Sequence, residues 1–301
     1  MSTPPAARKS RPFGWVAVVF VVLLAAGFAL GVVVYRRYVA YQPVAGRHVP
    51  ADAFGSARFD LTHVTLYEPF RRSLFPLVDA LPSAVASRDR RARLEQRGVH
   101  VAGQVREVMT AFGPAPSDWV VVLGGTLPRE GLAALVADVL RAEGLNVASA
   151  GPGFTVGGAQ GLTLGQAEDG ALVVASSPGR LQAALTGSEA PAALGRGAGG
   201  IALAGPWLPP SLESLEAGFR AGSVLAVAVR ARVRAGAEPA QARAELAGLL
   251  ARLTAGAPHA ARAVAAASLV TGPGEVSADL AFPREAVEEL AAGVAARLER
   301  R

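Results

Sequence analysis

The stretch LTLGQAEDGALVVAS at residues 162–176 decides the class of fold. Two apolar runs flank Asp169-Gly170, and an Asp-Gly pair between such runs is the strongest short-range signal for a β-hairpin. Residues 145–176 continue this pattern and predict a meander of antiparallel strands. Helical patterns precede and follow the meander, so we expect an α+β fold with antiparallel or mixed sheets.

Towards the N-terminus, strands and helices are expected in irregular alternation. WVVVLGG at 119–125 is apolar and rich in valine, which is typical of a buried strand. The apolar residues of 101–112 recur at helical spacing and indicate a helix. The full prediction for a first α+β half at 53–186 is a strand at 54–61, helices at 66–81, 88–97 and 101–112, the strand at 119–125, a helix that begins at Pro128-Arg129-Glu130, the meander, and a helix at 178–185.

Residues 187–199 are small, rich in glycine and without periodicity, which predicts a linker between two halves. A second α+β half at 200–301 follows. Its predicted elements are a strand at 200–206, a helix that begins near Pro210, a strand at 224–233, a helix at 239–253, a hairpin of 263–271 with 275–282, and a helix at 283–299.

Two internal sequence similarities, called echoes below, suggest that the two halves are related. TLPREGLAALVADVL at 126–140 resembles AFPREAVEELAAGVA at 281–295, and each reads as a strand end, Pro-Arg-Glu and a helix. A weaker echo pairs the strands at 54–61 and 200–206. These echoes predict a repeat, and chance similarity in an alanine-rich sequence is the alternative.

The segment GWVAVVFVVLLAAGFALGVVVY at 14–35 contains no charged residue. At about 1.5 Å per residue it extends for about 33 Å, enough to cross a hydrocarbon core of about 30 Å. It is longer than the apolar core of a signal peptide, and Arg36 and Arg37 follow it where a cleavage site would lie. We therefore expect an uncleaved, single-pass transmembrane helix rather than a cleaved leader.

The basic tail at 1–13 favours a cytoplasmic N-terminus. This orientation predicts a protein of the inner (cytoplasmic) membrane whose bulk is periplasmic or extracellular. Prolines and a glycine in residues 36–52 predict a stalk with solvated Arg47 and His48. The expected membrane-interface anchors are Arg11, Trp15, Tyr35, Arg36 and Arg37.

Gly27 and Gly31 form a GxxxG pair inside the span. Small residues four apart let two helix backbones approach closely, so this face is a candidate for a homodimer. The alternative is that glycine is simply common in membrane segments.

Composition excludes several function classes. The chain has no cysteine, so it has no disulfide, thiolate metal site or cysteine nucleophile. A pI near 10.6 is typical of nucleic-acid-binding proteins. However, residues 1–37 hold five basic residues and no acid, while the net charge of the whole chain is +6. The remainder is therefore nearly neutral, and we expect no nucleic-acid partner.

No motif indicates a catalytic, cofactor or metal site. The four histidines lack ligand spacing on a helix, and HExxH and GxSxG are absent. GRGAGG at 195–200 matches GxGxxG but precedes a predicted strand instead of following one. We therefore predict no catalytic residue, no cofactor and no metal. A triad assembled in space, or a metal held by His63 with Asp60, remains an alternative.

Other polar and aromatic features have structural interpretations. Glu168-Asp169 lies in a predicted turn and Glu288-Glu289 on a helix surface, so neither pair suits acid–base catalysis. The arginines of 88–97 predict a solvated helix face, with anionic lipid or an acidic partner as the alternative. Trp119 and Trp207 border predicted strands and are expected in the core.

Gly98-Val-His-Val, then Val120-Val-Val-Leu-Gly-Gly, then a Pro-Arg-Glu helix form a sequence that resembles membrane-anchored extracytoplasmic α+β proteins of high-GC bacteria. The resemblance covers most of residues 50–186. It implies similar α+β units after one N-terminal span, and it implies no activity.

Three functions are compatible with these observations. The first is a membrane-anchored extracytoplasmic interaction or assembly domain without catalytic activity, with other envelope proteins as partners. The second is a membrane-proximal protein that binds a lipid or small apolar ligand, suggested by the apolar meander at 145–176. The third is an enzyme with a spatially assembled site.

Overall fold

A computed structural model describes residues 41–69, 72, 88–115, 117–157, 161–187 and 199–298. Residues 1–42 form one unit of the chain, and residues 43–301 form a second. The predicted span at 14–35, with Gly27, Gly31 and its interface anchors, lies outside the described residues. No described helix is both long and apolar enough to cross a membrane.

All described strands form one twelve-stranded sheet in which every neighbouring pair is antiparallel. The α+β class is therefore confirmed, and of the two predicted kinds of sheet the antiparallel one is observed. The strands are β1 (Gly55–Asp60), β2 (Val105–Phe112), β3 (Trp119–Gly125), β4 (Val147–Ala150), β5 (Gly153–Val156), β6 (Leu162–Gln166), β7 (Leu172–Ala175), β8 (Gly199–Ala204), β9 (Leu212–Ala221), β10 (Leu225–Val233), β11 (Leu269–Gly272) and β12 (Glu275–Phe282).

Helices occupy the connections between these strands, with short 3₁₀ turns at Ala45–His48 and Gly205–Trp207. The helices of the described chain are α1 (Leu61–Leu66), α2 (Arg88–Gln96), α3 (Val101–Gln104), α4 (Leu132–Ala142), α5 (Pro178–Thr186), α6 (Pro239–Leu253), α7 (Pro258–Ala266) and α8 (Arg284–Leu298).

The strand order repeats on the two sides of the β1–β8 pair. Outward from β1 the order is β2, β3, β7 and β6, and outward from β8 it is β9, β10, β12 and β11. The hairpin of β4 and β5 extends the first side. Because β1 pairs directly with β8, both sides belong to one continuous sheet.

The two faces of the sheet are covered differently. The face that carries Arg58, Met109 and Val122 is called the front face here, and the face that carries Phe59 and Phe112 is the back face. On the first side, α5 covers the front face and α4 covers the back face. On the second side, α6, α7 and α8 cover the back face.

The front face of the second side carries no described helix. Along β10 the buried residues face the helices, while Ala226, Ala228, Arg230 and Arg232 on the front face are exposed. This strict alternation is the pattern expected of an antiparallel strand with one solvated face.

The predicted helix at 101–112 is wrong, because β2 occupies most of it. The buried row of β2 is Val105, Glu107, Met109 and Ala111, which is a period of two. A charged residue and a small one in that row hide the alternation. Val108 and Phe112 on the other face then combine with Val105 to give an accidental helical spacing.

The predicted helix near Pro210 is also wrong, because residues 212–221 form β9. Its pairing with β10 shifts register between Arg232 and Val233, so one residue of β9 bulges. The bulge places buried Leu212 and Leu215 three residues apart, a helical spacing within a strand.

Helix α4 begins at Leu132, after the Pro-Arg-Glu sequence at 128–130 that was expected to start it. Gly131, with φ of 76°, precedes the first turn. In the second Pro-Arg-Glu sequence, at 283–285, Arg284 and Glu285 already belong to the helix. The two echo helices also differ in topology, because α4 follows β3 whereas α8 follows β12.

Most other predicted elements are close to those observed. The meander is present as β4 to β7, with Gly170 at φ of 92° in the Asp-Gly turn. The predicted strand at 263–271 is wrong in its first part, because α7 extends to Ala266. The helix predicted at 66–81 and the linker predicted at 187–199 lie mostly outside the described residues.

Candidate interaction surface

Two glycines lie opposite phenylalanines on the back face where the two sides of the sheet meet. Gly55 of β1 lies opposite Phe112 of β2. Gly199 of β8 lies opposite both Phe59 and Phe219. Directly opposite residues in antiparallel strands share one face, so the rings are drawn together over the glycines.

The rings make two contacts over these glycines. Those of Phe59 and Phe219 are stacked, with centroids 6.5 Å apart and planes within 4°. Phe112 and Trp207 are tilted by 59° at 6.1 Å. A Cβ on Gly55 would lie 3.0 Å from Leu203 Cδ2 and 3.3 Å from the Trp207 ring, so a side chain there would crowd both residues.

This aromatic floor is defined as Phe59, Phe112, Trp207 and Phe219, and the first three of these side chains are exposed to solvent. Phe59 is 37% exposed, Phe112 38% and Trp207 41%. Trp207 was expected in the core, and that prediction is wrong. Clustered exposed aromatic rings on one face mark a surface suited to binding a partner or an apolar ligand.

A groove begins at Trp207 and runs along α6. One wall is the loop of residues 207–210, and the other is one side of α6. Its open volume is about 530 Å³, within the usual range of small-molecule sites. The α6 residues that line it are Gln241, Ala244, Glu245, Gly248, Leu249 and Arg252.

Glu245 is the acidic group of this α6 groove. The hydroxyl and the backbone N–H of Ser211 both donate to Glu245 Oε2, and Gln241 Nε2 donates to Oε1 at 2.9 Å. The Ser211 hydroxyl is the main cause that lowers the pKa of Glu245 below its ordinary value of 4.5, and Gln241 is the next.

Replacing Ser211 by alanine should raise the pKa of Glu245 towards 4.5. Because the folded-state pKa of Glu245 is lowered, its hydrogen bonds stabilise the fold at pH values above the usual glutamate pKa. This stabilisation is lost as the pH falls through the lowered pKa. Titration of the ¹³C-labelled carboxyl by NMR measures the change. Gln241→Ala should move the pKa less, and an equal shift in both variants would contradict this order of causes.

A buried polar cluster lies on the front face and was not predicted from the sequence. Glu107 is fully buried and accepts from Arg58 Nε at 2.7 Å. Its other oxygen accepts from the backbone N–H groups of Val44 and Ala45 at 2.6 and 2.9 Å. Glu107 therefore fixes the chain just before β1 onto the sheet.

His48 secures the same segment at a second point. Nδ1 lies 3.1 Å from the carbonyl oxygen of Ala184, and Nε2 lies 3.0 Å from a carboxylate oxygen of Asp169. His48 is only 7% exposed, so the prediction of a solvated His48 is wrong. Arg47 is exposed as predicted.

The remaining histidines do not converge on one site. His63 pairs with Asp60 at 3.1 Å at the exposed end of β1. His259 Nδ1 lies 2.5 Å from Glu289, whose pKa the His259 contact lowers. His100 is exposed. Within the described ranges, no group of three or more His, Asp or Glu side chains could hold a metal ion.

The other polar candidates are separate from one another. Asp169 lies in the hairpin turn as expected and also holds His48. Glu288 pairs with Arg284 along α8. On α2, Arg93 is exposed, and GRGAGG at 195–200 lies mostly outside the described residues. The absence of a catalytic residue, cofactor or metal stays a prediction.

The fold is similar to that of solved structures. Crystal form III of TP0453 matches with a TM-score of 0.51 and 10% identity, over 85% of this chain and 98% of that one. Crystal form I of TP0453 matches with a TM-score of 0.49 and 11% identity, over 86% of this chain and 98% of that one. No known family model matches, and neither does any curated protein. The similarity to crystal form III shows a shared fold.

Proposed function

We propose that this chain is anchored in the inner (cytoplasmic) membrane by a single transmembrane helix. Its main domain lies outside the cytoplasm and serves as an interaction domain without catalytic activity. The aromatic floor is its binding surface, and the occupant is an apolar segment of another envelope protein. The observation that carries the proposal is the exposure of Phe59, Phe112 and Trp207 together on one face.

Sequence and structure support different parts of the proposal. The anchor and its orientation rest on the uncharged segment 14–35 and the basic residues around it. The pair of related halves is supported by the repeated strand order around β1 and β8. The aromatic floor lies where the two halves meet. The two halves contribute different side chains to it, so it can bind one partner that is itself asymmetric.

A crosslinking experiment tests the occupant. A photoreactive amino acid replaces Thr110, which lies on the back face two residues from Phe112, in the full-length chain in intact cells. We expect one discrete protein adduct that is lost when Phe112→Ser is added. The matched control replaces exposed Ala228 on the front face and should give no such adduct.

The second candidate is a lipid or apolar ligand carrier, favoured by the groove of about 530 Å³ that continues from Trp207. In that case the adduct at position 110 would carry the mass of a lipid instead of a protein. A lipid adduct, or an adduct unaffected by Phe112→Ser, would contradict the proposed protein partner.

A further inference from the structure

The side of α6 that lines the groove carries opposite charges at equal distances from one central point. Glu245 and Arg252 lie one helical turn on either side of the point midway between Gly248 and Leu249. No carboxylate among the described residues lies within ion-pair distance of Arg252. The α6 surface therefore offers one acid and one unpaired base, equally spaced about a centre.

We propose that the α6 groove binds α6 of a second copy of this chain, antiparallel, about a twofold axis between Gly248 and Leu249. In this arrangement Glu245 faces Arg252 of the partner subunit, and the reverse pair forms by symmetry. A twofold contact uses the same patch on both copies, so a patch that complements itself is the requirement.

Gly248 lies beside the proposed axis, where the two helices come closest. Glycine inside a helix is less stable than alanine by roughly 1 kcal/mol. Within one copy nothing requires it, because a Cβ at Gly248 would meet only Arg252 Nη1, at 3.7 Å. In the pair, the half-buried Leu249 of one copy lies beside Gly248 of the partner subunit.

The groove also has the length that a helix pair needs. The residues from Gln241 to Arg252 rise by about 16 Å along the α6 axis, or three turns. Trp207 and the prolines that follow form the opposite wall. An interface of this size is small, so we expect weak association in solution, strengthened when both copies share a membrane.

This inference does not rest on the partner of the aromatic floor, although Trp207 borders both surfaces. Its variants alter Glu245, Gly248 and Arg252, none of which belongs to the floor. If the α6 contact is not found, the crosslink at position 110 is still expected. If the crosslink is not found, the α6 contact is still expected.

Because the chain has no cysteine, a single new thiol reports the contact. In Gly248→Cys, the two thiols lie beside the proposed axis, where a disulfide needs Cα atoms within about 7 Å. Mild oxidation of the full-length chain in membranes should give a disulfide dimer. Ala228→Cys, on the exposed front face, is the matched control and should give none.

Charge exchange then separates contact from folding. In the Gly248→Cys background, Glu245→Arg alone or Arg252→Glu alone should reduce the disulfide dimer about tenfold, since two attractive pairs become repulsive. When these two variants are co-expressed, both pairs are attractive again, and the mixed dimer should return to the original yield.

A misfolded variant cannot be rescued by a second misfolded variant, so the mixed dimer is the decisive readout. The proposal is overturned if Gly248→Cys forms no more dimer than Ala228→Cys. It is also overturned if the charge variants leave the yield unchanged, or if mixing them restores nothing.

Discussion

Replacing Glu107 by alanine should lower the free energy of unfolding by about 3–5 kcal/mol. The change removes the carboxylate that accepts the hydrogen bond of the Arg58 Nε–H, and Arg58 is only 3% exposed. It also removes the acceptor of the Val44 and Ala45 N–H groups. Equilibrium guanidinium denaturation of the full-length chain in detergent measures the loss.

Two further variants separate charge from geometry at this cluster. Glu107→Gln keeps one acceptor oxygen and should lower the free energy of unfolding less than Glu107→Ala does. The double variant Arg58→Met with Glu107→Met removes both charges together and should also cost less than Glu107→Ala, because no buried charge is left uncompensated. A loss below about 0.5 kcal/mol for Glu107→Ala would contradict the role assigned to this carboxylate.

Replacing Leu181 by alanine should cost about 3–5 kcal/mol, the range of a large-to-small change in a tightly packed core. Leu181 is fully buried on the inner side of α5. Its methyl groups occupy the space where side chains of Gly153 and Gly165 would lie, at 2.9 and 2.8 Å from their ideal Cβ positions. These two glycines let α5 approach the front face closely.

The same geometry predicts that the changes are not additive. Gly165→Ala alone should destabilise, because its new methyl meets Leu181. In the double variant with Leu181→Ala, that methyl enters the vacated space, so the double loss should be clearly smaller than the sum of the two single losses. Additive losses in denaturation would contradict this close contact.

The parts of the fold that could be predicted are those specified by local sequence. The Asp-Gly turn, the valine-rich β3 and the periodic α6 each contain their own signal, and each is present. The helices expected at 101–112 and near Pro210 failed for one physical reason. A buried charge in β2 and a bulge in β9 each disturb the period of two on which recognition of a strand depends.

The candidate surface could not be predicted, because it is created by pairing between distant strands. Gly55 meets Phe112 and Gly199 meets Phe59 only when β1, β2 and β8 are neighbours in the sheet. No local pattern specifies that order. The signals that were available are the glycines that begin β1 and β8, since a glycine in a strand often marks a close approach.

The buried Glu107 cluster has the same origin. Arg58 and Glu107 lie on adjacent strands, 49 residues apart in the chain. A lone Glu between valines reads as a surface residue of a helix, and only the pairing of β1 with β2 places an arginine beside it. The same holds for His48, whose partner Asp169 is 121 residues away.

The location of the domain is tested most directly by labelling a single thiol. Ala228→Cys places a unique, exposed cysteine on the front face, and Ser10→Cys places one in the N-terminal tail. Intact cells are treated with a membrane-impermeant maleimide before or after lysis. A membrane-anchored extracytoplasmic domain predicts that position 228 is labelled in intact cells and position 10 only after lysis. Protection of position 228 until lysis would contradict that location and the envelope partners that follow from it.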